Sequence, residues 1–350
     1  MSNNKMGKVK SILGEIWQRY NFILIFIVIF AVFLIINGNA TTLTTLMNIP
    51  RHSTVIGIIA LGMGIIILTG GIDLSVGSQL VLIGGLTVMV FNMTNNIFLC
   101  MLFAIAMGAI LGLFNGLLIG MFNMPPFIVT LATMLMFRSI AQTVMNSNNW
   151  TIYQLNAKLT GWKTLWTLGN AYVPGTKIPI LVVILVCVVI VMTYITTSTK
   201  FGKKIYAIGS NEKAAQLSGI NVNVSRVVVY MLAGILIGFA TFLYVANVGS
   251  VDPATSGKNY ELYAIAGVVI GGISMSGGKG RVLGIVFGSM SFTLIDKIIT
   301  ALGVNPLIND TIKGAILLLA IAVQMLPEVT KRFNLKKAKD ITEETEERGV

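Results

Sequence analysis

A chain of 350 residues is long enough for two or three soluble domains. Its 55% hydrophobic and 11% charged residues, and a mean hydropathy of +0.84, instead describe a chain buried in something other than water over most of its length, which excludes a water-soluble enzyme. The net charge of +12, from 25 Lys and Arg against 13 Asp and Glu, does not mark a nucleic-acid surface, because the basic residues sit at the two ends and in short breaks between apolar runs. Cys100 and Cys187 both lie in apolar stretches and His52 is the single histidine, so neither a disulfide framework, a metal centre nor a resident cofactor is expected.

A hydrocarbon core of roughly 30 Å takes about 20 apolar helical residues. Ten segments qualify, two of them short: Phe22 to Ile36, Val55 to Thr69, Ser78 to Phe91, Ile97 to Met121, Pro126 to Met145, Ile178 to Thr197, Val227 to Val248, Leu262 to Ile273, Val282 to Ala301 and Leu307 to Leu326. The expected fold is an all-α polytopic membrane bundle of about ten transmembrane helices over residues 21–326, between an N-terminal segment (1–20) and a C-terminal tail (327–350). Starting in the cytoplasm and alternating sides places most Lys and Arg inside, among them Lys200, Lys203, Lys204, Lys213, Lys279 and Arg281. It leaves Arg51, Lys158, Lys163, Lys177 and Lys258 outside, so both termini are expected in the cytoplasm. The first apolar run is read as an uncleaved helix, because Asn37, Gly38 and Asn39 follow it instead of a small-x-small site.

The first departure from plain membrane helix is TGGIDLSVGSQLVLIGG, from Thr69 to Gly85. An acid at bilayer depth is costly and needs a local reason. Two compatible roles fit Asp73: capping the helix that begins near Ser75, and lining a solute pathway at a broken helix together with Ser75. Asn115 and Thr130 are polar residues within spans, suited either to lining the path or to bonding a neighbouring helix. Pro125 and Pro126 open the fifth span. Arg138 lies about 18 Å further along that helix, at 1.5 Å per residue. It either snorkels to the headgroups or turns inward toward an acid such as Glu261, which opens the eighth span.

The outer connection, residues 146–176, carries Trp150, Trp162 and Trp166 with Tyr153 and Tyr172, read as an interfacial aromatic belt. The longest polar interruption, Ser198 to Ser225, contains a short helix with Ser210 as N-cap, Glu212 in its first turn and Gly219 as its stop. Two turns are marginal alone in water, so something must dock them, and a groove on a cytoplasmic protein suits the small residues Ala214 and Ala215. The late cluster GGISMSGGKGR is not a phosphate loop, since Ile273 and Gly280 occupy positions that need Gly and Ser or Thr. It reads as a tight turn, and its opening GGISMSG (Gly271 to Gly277) echoes GGIDLSV (Gly70 to Val76) in a segment expected to run in the same direction.

Four motifs carry a resemblance that spans about Val55 to Val323: GGIDLSVGS (Gly70 to Ser78), PPFIVTLATM (Pro125 to Met134), FGKKIYAIGSNEKAAQLSGINV (Phe201 to Val222) and YELYAIAGVVIGGISMSGGKGRVLG (Tyr260 to Gly284). In this order they resemble the permease subunits of bacterial ABC importers for monosaccharides of the ribose, xylose, arabinose and galactose type. The resemblance implies a non-enzymatic, multi-pass subunit of the cell membrane that passes a monosaccharide into the cytoplasm. It implies a second permease copy, a separate ABC ATPase subunit and an extracytoplasmic sugar-binding protein as partners. It also implies that residues 211–219 form the coupling helix, with Gly209, Asn211, Glu212, Ala214, Ala215, Ser218 and Gly219 at the ATPase. Tyr263 stands where the family commonly has Asp, which removes a charge beside Glu261. An ion-gradient-driven transporter is the rival class, but it calls for mid-membrane acids or histidines that the spans almost lack. A permease for a related polyol or furanoside is the second alternative.

Overall fold

The structure is a computed structural model that describes residues 22–146, 153–305 and 308–322. The segment 1–20, the tail 327–350 and Trp150 lie outside the described residues. Among the described residues, seven helices are long and apolar enough to cross a membrane: α2 (Leu43–Leu68), α3 (Val76–Thr94), α4 (Ile97–Gly120), α5 (Pro126–Asn146), α7 (Ile180–Ser198), α10 (Val222–Val248) and α12 (Val282–Ala301). Shorter apolar helices are α1 (Phe22–Asn37) and α11 (Tyr260–Ile270). The less apolar helices are α6 (Thr160–Asn170), α8 (Lys200–Ser210) and α9 (Glu212–Leu217). A two-residue strand pair, β1 (Tyr153–Gln154) and β2 (Ser250–Val251), is antiparallel with Tyr153 opposite Val251. The chain divides after Gly303 into two compact units, and residues 308–322 form helix α13 of the second.

Side-chain caps set several helix starts. Thr42, Asn96 and Asn221 each accept the backbone N–H three residues on, at the starts of α2, α4 and α10. Left-handed residues end others, Asn95 after α3 and Gly249 after α10. The second span therefore begins at Leu43, twelve residues before the expected Val55. It runs through Pro50 at the loss of one N–H bond, and Arg51 is accommodated by donating to Asn170 Oδ1 of α6 at 2.6 Å.

Within the first unit α2, α3 and α10 form the centre. α2 is buried along its whole length from Ser53 to Leu68 apart from half-buried Ile56. By contrast α4, α5 and α7 keep broad apolar faces exposed, including Phe98, Ile110, Ile128, Leu135, Val186 and Ile190. Such faces are unfavourable in water and ordinary against lipid, so the bundle is a membrane protein.

α4 and α10 form the most intimate pair. A Cβ on Gly112 would strike the carbonyl of Tyr230, and one on Gly108 would strike that of Gly234, so Gly108, Gly112, Gly116 and Gly120 of α4 lie directly on the backbone of α10. The partner face includes Gly234 and Gly238, and Gly238 abuts Ala104. Four-residue spacing of small residues puts them on one stripe and lets backbones touch.

Candidate functional site

Three arrangements stand out, built from the breaks in the helices. The first surrounds Asp73. α2 ends in a Schellman turn, with Gly70 N–H on the Ile67 carbonyl (2.9 Å), Gly71 N–H on that of Ile66 (3.1 Å), and Gly70 at φ +79°. The chain then crosses four residues before α3 starts, a buried non-helical stretch of the kind that must find its polar partners inside the protein. Asp73 is fully buried and accepts the backbone N–H (2.8 Å) and hydroxyl (2.6 Å) of Ser75, the residue preceding α3. Asp73 thus closes the turn ahead of the helix, but its bonds go to Ser75 and the Gln79 side chain and not, as the capping role required, to the free N–H groups of α3.

Gln79, one turn on, donates to Asp73 Oδ2 (3.3 Å) and Ser75 Oγ (2.8 Å). Asn115 of α4 donates to Ser75 Oγ (3.0 Å), and the Tyr230 hydroxyl of α10 donates to the Ile72 carbonyl (3.0 Å). Asp73, Ser75 and Asn115 therefore meet, joined by two residues not singled out from the sequence, Gln79 and Tyr230. The Ser75–Gln79 spacing of four was the available signal for Gln79. The amide oxygens of Gln79 and Asn115 are buried without a hydrogen-bond partner.

The second arrangement is a returning connection between α10 and α11. From Gly249 the chain runs back along α3: Val251 lies against Gly84, and Gly257 lies backbone to backbone against Gly77. Seven residues of helix separate those levels, roughly 10 Å at 1.5 Å per residue. The returning turn is closed on itself. Asp252 accepts the Thr255 hydroxyl (2.6 Å) and the Ala254 N–H (2.8 Å), which holds its carboxyl below the usual carboxylate range. Ser256 Oγ accepts the N–H of Asp252 and bonds the Tyr244 hydroxyl, both at 3.0 Å.

Arg138 of α5 donates to the carbonyls of Pro253 (3.2 Å) and Ser256 (2.8 Å). It turns inward, as one of its two expected roles required, but its hydrogen bonds go to backbone carbonyls. Glu261 sits one turn beyond, its carboxylate beside Gly77. Thr130 is buried on the same helix as Arg138, and its hydroxyl bonds back to the Pro126 carbonyl (2.9 Å), outside both groupings.

The third arrangement is the polar elbow. α8 is capped by Thr199, and α9 follows at once, capped by Asn211, whose Oδ1 accepts the Ala214 N–H at 3.0 Å. The N-cap is thus Asn211 and not the expected Ser210, which belongs to α8; only Asn211 has the extended backbone (φ −160°) that aims its side chain at the new helix. Gly219, at φ +80°, ends the helix as expected. Glu212 bonds Arg226 of α10 at 2.7 Å.

Ala215 is buried on this chain's own Ile208 and Val222. The docking that a two-turn helix needs is therefore partly internal, and Ala215 faces inward. The outward face carries Lys213, Ala214, Gln216, Ser218 and a leucine, Leu217, that is 91% exposed. Leu217 was missed in the sequence because one leucine beside alanines gives no periodicity to read. Gly209 is in the last turn of α8, where a Cβ would strike the Leu68 carbonyl and the Gly278 nitrogen.

A family model described as branched-chain amino acid transport system / permease component matches residues 45–321. The chain is 36% identical over 298 residues to the ribose import permease protein of Escherichia coli strain K12, covering 85% of this chain and 90% of that one. It is 36% identical to the ribose import permease protein of Bacillus subtilis strain 168 (82% and 86% covered). It is 34% identical to the galactose/methyl galactoside import permease protein of Escherichia coli strain K12 (88% and 94% covered). No solved structure matches it. With its spanning helices and a match over most of its length, the chain belongs to this family of transport-system permease components and is a multi-pass protein of the cell membrane.

Proposed function

We propose that this chain is the membrane-spanning subunit of an ATP-driven importer that passes a monosaccharide, a ribose-like pentose or a hexose, into the cytoplasm. The observation that carries this is the near full-length similarity to permeases named for ribose and galactose, set against a family description that names amino acids. The chemistry of the Asp73 cluster supports it. A sugar is neutral and rich in hydroxyl donors, and the amide oxygens of Gln79 and Asn115 are acceptors without partners. On this reading the path passes Asp73, Ser75 and Asn115 and the returning turn held by Arg138 beside Glu261. Thr130, bonded to its own helix, is the weakest of the candidates.

In this proposal about ten helices cross the bilayer with both termini inside, and residues 198–225 form a cytoplasmic loop between them. A second copy completes the channel, a sugar-binding protein delivers solute from outside, and a separate ABC ATPase grips α9 through Asn211, Glu212, Ala214, Ser218 and Gly219. Leu217 is the anchor of that grip, because a lone, fully exposed leucine on a helix whose other face is already docked suits an apolar pocket on a partner. Ala215 and Gly209 serve it from behind, seating the helix on the bundle. ATP binding and hydrolysis in the partner shift the bundle between inward- and outward-open states.

Reconstitution tests the proposal. Liposomes holding this chain, its ATPase and the binding protein take up labelled ribose or galactose only with ATP inside the ATPase compartment. Uptake by this chain alone, driven by a proton or sodium gradient, would replace the proposal with secondary transport.

A further inference from the structure

Both helix breaks converge on one point beneath α8. α11 ends in the same Schellman turn as α2: Gly272 N–H bonds the Val269 carbonyl (2.9 Å), Ile273 N–H bonds that of Val268 (3.2 Å), and Gly272 has φ +80°. The loop that follows reaches across to the end of α2, where Gly278 N–H bonds the Leu68 carbonyl at 3.0 Å. Gly209 of α8 sits on that bond. A Cβ there would strike both of its ends, and one on Gly277 would meet the Gly70 nitrogen and Gly209 itself. One turn earlier on α8, Tyr206 donates its hydroxyl to the Gly280 carbonyl at 3.0 Å. These contacts are between backbones or from backbone to a hydroxyl, with no flexible side chain to absorb a shift, so a displacement of α8 moves both breaks together.

Each break leads away from this junction to one of the buried arrangements. Leu68 and Gly70 run directly into Asp73 and its cluster. The loop 271–281 is the far end of α11, whose near end carries Glu261 against Gly77. α9, the element with the exposed leucine, continues α8 without an intervening loop and is packed on Ile208 of α8.

We propose that Gly209, with Gly278 and Tyr206, is the mechanical relay of this transporter: the junction through which motion of the α8–α9 elbow reaches both helix breaks at once. They are positioning residues, acting on the path through the Asp73 and Glu261 segments. The inference rests on the reading of the chain as an ATP-driven permease, and its test separates the two.

In proteoliposomes containing the ATPase and the binding protein, sugar uptake and ATP hydrolysis are measured on the same preparation. If the wild type shows no ATP-dependent uptake, the functional reading itself fails. If it does, Tyr206→Phe, which removes one hydroxyl and its bond to the Gly280 carbonyl with no other change of shape, is expected to keep membrane level, ATPase co-purification and hydrolysis within about two-fold while uptake per ATP falls three-fold or more. An unchanged ratio of uptake to ATP, or equal losses of ATPase binding, hydrolysis and uptake, would overturn the relay.

Discussion

Asp73 is fully buried and accepts two bonds from Ser75 and one from Gln79. Removing it takes an acceptor from the N–H and hydroxyl of Ser75 and from one N–H of the Gln79 amide, and each buried donor left unpaired costs about 1–3 kcal/mol. Asp73→Ala should therefore lower the stability of the detergent-solubilised protein by about 3 kcal/mol or more, read as an earlier thermal transition, while Asp73→Asn, which keeps an acceptor, should lose less. Equal melting of wild type and Asp73→Ala would show that the cluster does not hold the break together. The sequence made Asp73 and Ser75 legible because an acid flanked by glycines interrupts an apolar run. It did not distinguish Asn115 from Thr130: both are buried polar residues in spans, and only tertiary packing sends one to Ser75 and the other back to its own helix. The same limit applies to Arg138, since its inward turn depends on a loop more than a hundred residues away.

Among the elements, span positions were readable to within a few residues from apolar length, with α2 the largest miss. There Pro50, Arg51 and His52 imitate a loop, and the contact that licenses Arg51 inside a helix, Asn170, belongs to α6, a helix within the outer connection that the sequence does not mark. α8 is hidden for a different reason: its three lysines and two glycines look like loop, and its stability comes from burying Ile205 and Ile208. Which face of α4 is inside was not readable from hydrophobicity, because the helix is apolar all round, yet the spacing of Gly108, Gly112, Gly116 and Gly120 marks it. The seam gives a sharp test. Gly112→Val should abolish accumulation of folded protein in the membrane, since its side chain meets the Tyr230 backbone, whereas Ile110→Val, on the exposed face of the same helix, should accumulate as wild type. Similar levels of the two variants would mean that the α4–α10 contact is dispensable.

For the molecule as a whole, the sequence echo between GGIDLSV and GGISMSG has a physical basis. Both segments follow helices that end in Schellman turns, but the structural register is shifted by one residue, pairing Gly70 with Gly272 instead of Gly271. The two breaks are joined by the bond from the Gly278 N–H to the Leu68 carbonyl. What no single sequence could reveal is that the elbow touches both breaks, because that follows from three segments far apart in the chain.

The account turns on whether the outward face of α9 is held by a motor protein. A photo-crosslinking amino acid at Leu217, in membranes that also contain the ATPase and the binding protein, tests this most directly. The account predicts a crosslinked product with the ATPase subunit whose yield changes between nucleotide-free and ATP-bound conditions, and loss of ATP-dependent sugar uptake in Leu217→Glu. Crosslinks confined to lipid, or labelling of position 217 from outside the cell, would contradict it.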